Sequence, residues 1–109
     1  MANKFINKQF NLTTTNAVAV YTVPAETVAM IKSIQAFNSS AGSVSVSASI
    51  TDNSASATFN FSRRTMPTVT TSDLVTGIKV LEESDKLNLT ASHSNVISGT
   101  VAILEQDRN

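Results

Sequence analysis

The chain has 109 residues with eight basic and eight acidic side chains, and it contains no cysteine. A chain of this length forms one domain around a single core, and its stability must come from packing and backbone hydrogen bonds, since disulfides and thiolate metal sites are excluded. The charges cancel and no apolar run reaches the roughly 18 residues of a membrane span, so neither nucleic acid nor a membrane is expected as a partner.

Residues 1–16 are predicted to form an N-terminal arm or edge strand. Ile6, Phe10 and Leu12 share one face of an extended segment, although Lys8 interrupts that face. A segment of this kind either docks on the sheet of its own domain or pairs with a neighbouring subunit. Terminal strands usually dock on their own domain, so the first alternative is favoured.

The compact part is predicted as a single domain at 17–109, which opens with a strand at 17–23. A proline-containing turn leads into the longest apolar run, at 28–38. The apolar residues of this run do not keep a single parity, which indicates that both faces of the strand are partly covered or that a bulge shifts the phase. The residues concerned are Met30, Ile31, Ile34 and Phe37.

The segment 43–51 has the clearest strand pattern of the chain. Successive side chains of a strand point to opposite faces, so its valine, alanine and isoleucine side chains share one face and its serine and threonine side chains the other. Serine and threonine together supply 29 of the 109 residues. The strand therefore has one buried face and one small, hydroxyl-rich outer face, on which nothing is built for catalysis.

The second half of the chain predicts four further short strands. The first carries Phe59 and Phe61, whose rings are expected in the core, and an irregular connection follows at 63–73. The other three strands and a charged tail, which is expected to fray, are at 78–80, 87–91, 96–104 and 105–109. With turns about every ten residues and no amphipathic helix, this spacing predicts an all-β antiparallel β-sandwich, jelly-roll or immunoglobulin-like, with seven or eight strands.

Candidate catalytic and metal-binding residues are few. Catalysis requires a general base near neutrality, a nucleophile with a partner, or a metal. His93 is the only histidine and lies in a predicted turn; a triad with Asp73 or Asp85 can be drawn, but 15 serines make the proximity of one uninformative. Glu82, Glu83 and Asp85 lack the alternating spacing of a dedicated calcium loop, so a solvated turn is expected. No enzymatic activity, cofactor or metal is predicted.

The most distinctive charged feature of the sequence is the pair of consecutive arginines, Arg63 and Arg64. Two neighbouring guanidinium groups suit carboxylates or phosphates on a partner. Met66 makes the same loop apolar enough for a contact surface, and an exposed basic pair without a role is the alternative. The predicted partner contacts lie on the arm and in this loop, at Phe5, Ile6, Phe10, Leu12, Arg63, Arg64 and Met66.

Four short motifs carry a resemblance to a known family. They are Tyr21-Thr-Val-Pro-Ala25, Met30-Ile-Lys-Ser-Ile-Gln35 followed by Asn38, Val80-Leu-Glu-Glu-Ser-Asp-Lys-Leu87, and Val101-Ala-Ile-Leu-Glu105. In these motifs, which cover a minor part of its length, the chain resembles small virion structural proteins of tailed bacteriophages. It departs from that family's pattern at two turn glycines, where it carries Glu26 and Ser84.

The resemblance implies a β-sandwich displayed in many copies on a phage particle, and it brings no catalytic residues. We therefore expect a non-enzymatic virion protein made in the host bacterial cytoplasm, foremost a capsid decoration (cement) protein. Its expected partner is the major capsid protein or another virion protein, and a homo-oligomer, foremost a trimer, is the expected state. A tail, neck or fibre-attachment component and a carbohydrate-binding adhesive module are the alternatives.

Overall fold

The computed structural model describes residues 3–75 and 78–107, and these residues form nine strands and no helix. The strands are Asn3–Leu12 (β1), Val18–Thr22 (β2), Thr27–Asn38 (β3), Val44–Asp52 (β4), Ala57–Met66 (β5), Thr70–Asp73 (β6), Lys79–Leu81 (β7), Lys86–Ala91 (β8) and Ile97–Asp107 (β9). A search of this described part of the chain finds no helix able to cross a membrane.

The strands pair into two antiparallel sheets. Sheet A has the order β1-β9-β3-β6, with β7 also paired to β3, and sheet B has the order β2-β8-β4-β5. The short strands β6 and β7 pair with different parts of β3, so they share one position at the edge of sheet A. Apart from the β4–β5 and β6–β7 connections, each connection crosses to the other sheet, which is the jelly-roll arrangement. The predicted all-β sandwich is confirmed.

The N-terminal segment is an edge strand of sheet A. All ten residues of β1 pair with β9, from Asn3 opposite Gln106 to Leu12 opposite Ile97. The side chains of Phe10 and Leu12 face the core. The segment thus docks on the sheet of its own chain; residues 1 and 2 of the predicted arm lie outside the described residues.

A bulge in β3 is one reason why the apolar residues of this strand change from odd to even positions. The register between β3 and β9 shifts between Ile31 and Ser33. Ala29 and Ile31 are buried before the shift, and Ile34 and Ala36 are buried after it. The bulge therefore keeps the same face of β3 in the core while the parity changes, as predicted.

Two predictions for the second half of the chain are wrong. Phe59 is 56% exposed and Phe61 is only partly buried, because β5 is the edge strand of sheet B. The connection predicted at 63–73 is mostly regular, since β5 continues to Met66 and β6 follows after a short turn. A bulge in the β4–β5 pairing shifts the phase of β5, which makes this stretch look irregular in the sequence.

The C-terminal tail was expected to fray, but β9 extends to Asp107. Within it, Glu105 accepts a hydrogen bond from the hydroxyl of Tyr21 on β2. This bond joins sheet A to sheet B, so the strand is held by a cross-sheet contact that the charge pattern does not indicate. Residues 108 and 109 of the predicted tail lie outside the described residues.

Candidate docking surfaces

The outer face of sheet A carries a row of apolar side chains at one level of the sheet. The strand registers place Phe5 opposite Leu104 and Met30 opposite both Leu104 and Val80. We call these four residues the apolar row. Phe5 and Val80 are 74% and 60% exposed, and the two central members are half-buried. Ile78, next to the row in the chain, is also exposed.

The apolar row lies on the solvent side because its neighbours in the chain lie in the core. Ile31, Leu81 and Ile103 are all buried. Successive side chains of a strand alternate in direction, so the residues beside them face away from the core. At the level of the row, β3 and β9 are therefore apolar on both faces, although the sandwich covers only one of these faces.

Lys32 places a cation on this same face. It occupies the bulge of β3, and its Nζ lies 5.5 Å from the centroid of the Phe5 ring. The carboxylate at the edge of the face, Asp73, uses Oδ1 to accept hydrogen bonds from the backbone N–H groups of Val75 at 2.9 Å and Ile34 at 3.3 Å. Among the described residues the face thus presents one ammonium group within an apolar surrounding.

The outer face of sheet B is different, being rich in hydroxyl groups. As predicted, β4 buries Val44, Val46 and Ala48 and turns Ser45 and Ser47 outward. A shallow groove of about 560 Å³ runs over this face. Its lining includes Ser45, Ser47, Asn60, Phe61, Arg63 and Thr90.

Arg63 and Arg64 are both exposed, but they do not act as a pair. Arg63 lies opposite Ser47 on the outer face of sheet B, whereas Arg64 lies opposite Val46, whose side chain faces the core. Consecutive strand residues point to opposite faces, so the two guanidinium groups diverge. Neither side chain makes a hydrogen bond or an ion pair with another described residue.

Four of the seven predicted contact residues belong to the core or pack against it. Phe10, Leu12 and Met66 are buried and have no side-chain surface to offer a partner. Ile6 is half-buried and packs against the core. The members that remain on the surface are Phe5, Arg63 and Arg64.

Sequence reasoning missed three members of the apolar row. Leu104, Met30 and Val80 lie on three different strands, and only the strand registers bring them together. One signal was present, because the mixed parity of 28–38 indicated either that both faces of that strand are partly covered or that a bulge shifts the phase. The pattern does not say what covers the second face.

The acidic turn before β8 was expected to be solvated, and this is wrong for Asp85. Its side chain is 6% exposed, and its carboxylate accepts hydrogen bonds from the backbone N–H groups of Asn53 at 3.0 Å and Glu82 at 2.9 Å. The carboxylate of Glu83 accepts one from the backbone N–H of Glu26 at 2.8 Å. Within 3–75 and 78–107, no three His, Asp or Glu side chains are grouped to hold a metal ion.

His93 is exposed in a turn, as predicted. Its Nδ1 lies 3.0 Å from Oγ of Ser92, which also accepts a hydrogen bond from the backbone N–H of Ser45. The two carboxylates that a triad would use, Asp73 and Asp85, bind backbone N–H groups in other parts of the fold. The triad drawn from the sequence is not formed.

No protein-family model and no curated protein matches the chain. Solved structures match it at low sequence identity. One is a chain of the acid-stable capsid of Helicobacter pylori bacteriophage KHP30, with 11% identity and a TM-score of 0.62, covering 100% of this chain and 90% of that chain. Another belongs to Bacillus endospore appendages, a family of disulfide-linked pili, with 7% identity and a TM-score of 0.54, covering 95% and 84%. At these identities the likeness establishes the shared fold.

Proposed function

We propose that the chain is a non-enzymatic structural protein of a bacteriophage virion, foremost a decoration protein that binds the outside of the capsid in many copies. The observation that carries the proposal is the match over the full length of the chain to a chain of a bacteriophage capsid. Because one fold can serve unrelated functions, the surface of the molecule must support the proposal as well.

The surface favours assembly over catalysis. The apolar row crosses the whole width of sheet A, from Phe5 to Val80. Every buried polar side-chain atom of the described residues has a hydrogen-bond partner, so these polar groups serve the fold. A broad surface of this kind suits a lattice subunit, because many copies make individually weak contacts collectively strong.

The likeness to a pilus chain favours a different assembly, one that is covalently linked. Those pili are disulfide-linked, and these 109 residues contain no cysteine. Association through these residues is therefore not disulfide-linked, unlike that of the pili.

The proposed partner is the major capsid protein, and the proposed state is a homo-oligomer, foremost a trimer at three-fold positions of the lattice. Among the described residues, the edge strand β1 pairs on one side only, with β9. At alternate residues, the N–H and C=O groups of its other edge point away from β9, and a strand of a neighbouring copy can pair with them.

Co-sedimentation with phage particles tests this proposal. Heads and tails are prepared from phage that lacks the gene for this chain, and each is mixed with the purified protein. We expect saturable binding to heads and an increase in the temperature at which the heads open. Binding to tails alone would replace the decoration role with a tail, neck or fibre-attachment role. Binding to neither would overturn the virion assignment.

The groove on sheet B favours a second candidate, a carbohydrate-binding adhesive module. The lining of the groove combines hydroxyl-bearing residues with Asn60 and Arg63, and a small number of placed polar groups is typical of ligand sites. Against it, the chain has no tryptophan and its one tyrosine, Tyr21, is buried. A glycan array without hits removes this candidate, whereas a hit that Arg63→Ala abolishes supports it.

A further inference from the structure

We infer that the outer face of sheet A is the docking face, and that its occupant is a different protein presenting apolar side chains around a carboxylate, not a second copy of this chain. The inference rests on the proposed function, in which that different protein is a capsid subunit. Three observations carry it: the apolar row, the position of Lys32 and the segment 28–31 of β3, which is apolar on both faces.

The first part of β3, residues 28–31, is apolar on both faces. Val28 and Met30 face outward, while Ala29 and Ile31 face the core. Strands that are buried on both faces read as continuous apolar runs, and this segment is such a run. Sheet B covers only the inner face of sheet A, so the outward side chains of this segment have no covering layer among the described residues.

The apolar row has the continuity that a docking surface requires. Its two most exposed members, Phe5 and Val80, lie at opposite edges of the sheet, and Leu104 and Met30 bridge them. Single exposed apolar residues are common on protein surfaces, whereas contiguous apolar patches mark interaction sites. Burial of such a patch is the main favourable contribution to association.

Lys32 disfavours a second copy placed on this face by a two-fold axis. A two-fold dimer through this face would bring the same patch of both copies together, including both Lys32 side chains. Asp73, the carboxylate at the edge of the face, already binds two backbone N–H groups. Burying an ammonium group without a carboxylate is strongly unfavourable, so self-association through this face is disfavoured.

The same lysine specifies what the partner must present. The Phe5 ring holds the Lys32 ammonium over the face at 5.5 Å, a cation–π contact that restricts the side chain before binding. A carboxylate placed against this ammonium would be enclosed by the apolar row and shielded from water. Charge pairs in such a setting determine the orientation and specificity of a complex.

The experiment measures the binding of four single variants to heads prepared without this protein. Val80→Asp and Lys32→Glu change the docking face. Val69→Asp is the matched control for the first, since Val69 is 65% exposed in a turn outside the sheets. Lys79→Glu is the matched control for the second. Lys79 lies opposite the buried Ile31, so its side chain leaves the sheet on the side away from the docking face, and its Nζ lies 5.6 Å from the ring centroid of Phe61.

We expect the two face variants to bind at least about tenfold more weakly than the wild type, and the two controls to bind within about twofold of it. Thermal unfolding of every variant checks that the fold is intact, and Val80→Thr and Lys32→Gln replace any variant that does not fold.

Two results would overturn the inference alone. In the first, the wild type and both face variants bind heads equally well, which leaves the proposed function in place. In the second, analytical ultracentrifugation shows a homo-oligomer that dissociates in Val80→Asp, which identifies a second copy as the occupant. A wild type that does not bind heads overturns the proposed function and the inference together.

Discussion

Sheets A and B supply the two halves of one core but have opposite outer faces. In sheet B, β4 buries its valines and turns serines outward. In sheet A, β3 and β9 turn apolar side chains both ways, so Met30 and Leu104 lie outside while Ile31 and Ile103 are buried. Apolar residues beyond those that the core uses are thus concentrated on one sheet, which is why we place the partner there.

The two sheets also differ in the length of their strands. In sheet A, β1, β3 and β9 have ten, twelve and eleven residues. In sheet B, β4 and β5 have nine and ten residues, but β2 and β8 have only five and six. Sheet A therefore offers the longer surface, and the substitutions below test what holds it in place and what ties it to sheet B.

Gly99→Ala should have the largest effect, because it separates the strands of sheet A. A Cβ at this position would lie 1.9 Å from the backbone oxygen of Gln35 and 2.8 Å from the Phe10 ring. We expect a loss of about 3 kcal/mol in the free energy of unfolding, measured by urea denaturation. Gly42→Ala is the control, since nothing lies within 4 Å of its added Cβ. Equal stability of the two variants would contradict the close packing of β9 against β3.

Asn38→Ala should have the next largest effect, because this residue ties the end of β3 to loops that flank sheet B. Its side chain is fully buried, and Nδ2 donates to the carbonyl oxygens of Pro67 at 3.0 Å and of Met66 and Gly42 at 3.1 Å. Truncation leaves the buried carbonyl group of Met66 without this partner, which should cost about 2 kcal/mol in the free energy of unfolding.

Asn38→Asp tests whether this side chain acts as a donor. It has nearly the same shape, but at neutral pH a carboxylate would face three carbonyl oxygens. Urea denaturation should therefore show at least as large a loss as for Asn38→Ala. A variant as stable as the wild type would show that the donated hydrogen bonds are not important.

Tyr21→Phe removes the hydrogen bond between the sheets and should cost about 1 kcal/mol at neutral pH. Burial, followed by the hydrogen bond to Glu105 and its charge, raises the pKa of Tyr21. An unfolded tyrosine ionises at about pH 10. The folded chain therefore keeps a proton that the unfolded chain releases above that pH, so this contribution to stability is full below about pH 10 and is lost as the pH rises further.

The measurement compares the thermal unfolding of the wild type and Tyr21→Phe across this pH range. The difference in stability should be constant up to about pH 10 and then shrink. Because the chain has a single tyrosine, the ultraviolet absorbance of tyrosinate reports its ionisation directly. A difference that stays constant above this pH would show that the phenol proton is not retained by the fold.

Ser84→Gly should have the smallest effect, a gain of about 0.5 kcal/mol, because its backbone is in the left-handed region that glycine adopts without strain. The φ angle of Ser84 is 69°, and its backbone N–H donates to the carbonyl oxygen of Val23. Asn95→Gly, at φ 64°, is the control with a smaller expected gain, since asparagine tolerates this region. Thermal unfolding of both variants checks the order, and a loss of stability in Ser84→Gly would contradict it.

Much of the architecture could be predicted from the sequence. The alternation in 43–51, the bulge in β3 and the two-layer class follow from local patterns, because the period of a strand is written in consecutive residues. The two turn positions that carry glycine in the resembling phage proteins, Glu26 and Ser84, both keep a positive φ here. The left-handed backbone is therefore present at both turns without glycine.

The surface of the molecule could be predicted only in part. Phe59 has the alternation of a core strand but is exposed, because β5 has no neighbour on one side. Met66 and Asp85 were expected in exposed loops but are buried by segments far away in the chain. No local pattern distinguishes an edge strand from a central one, so these differences were not visible in the sequence.

Local patterns were sufficient to place most of the strands and turns, and to assign the inward face of the segment 43–51. The tertiary structure alone decided which strands lie at the edges and which apolar side chains remain outside to form one row. The physical reason is that alternation is a property of one strand, whereas exposure depends on which other strands pair with it and cover it.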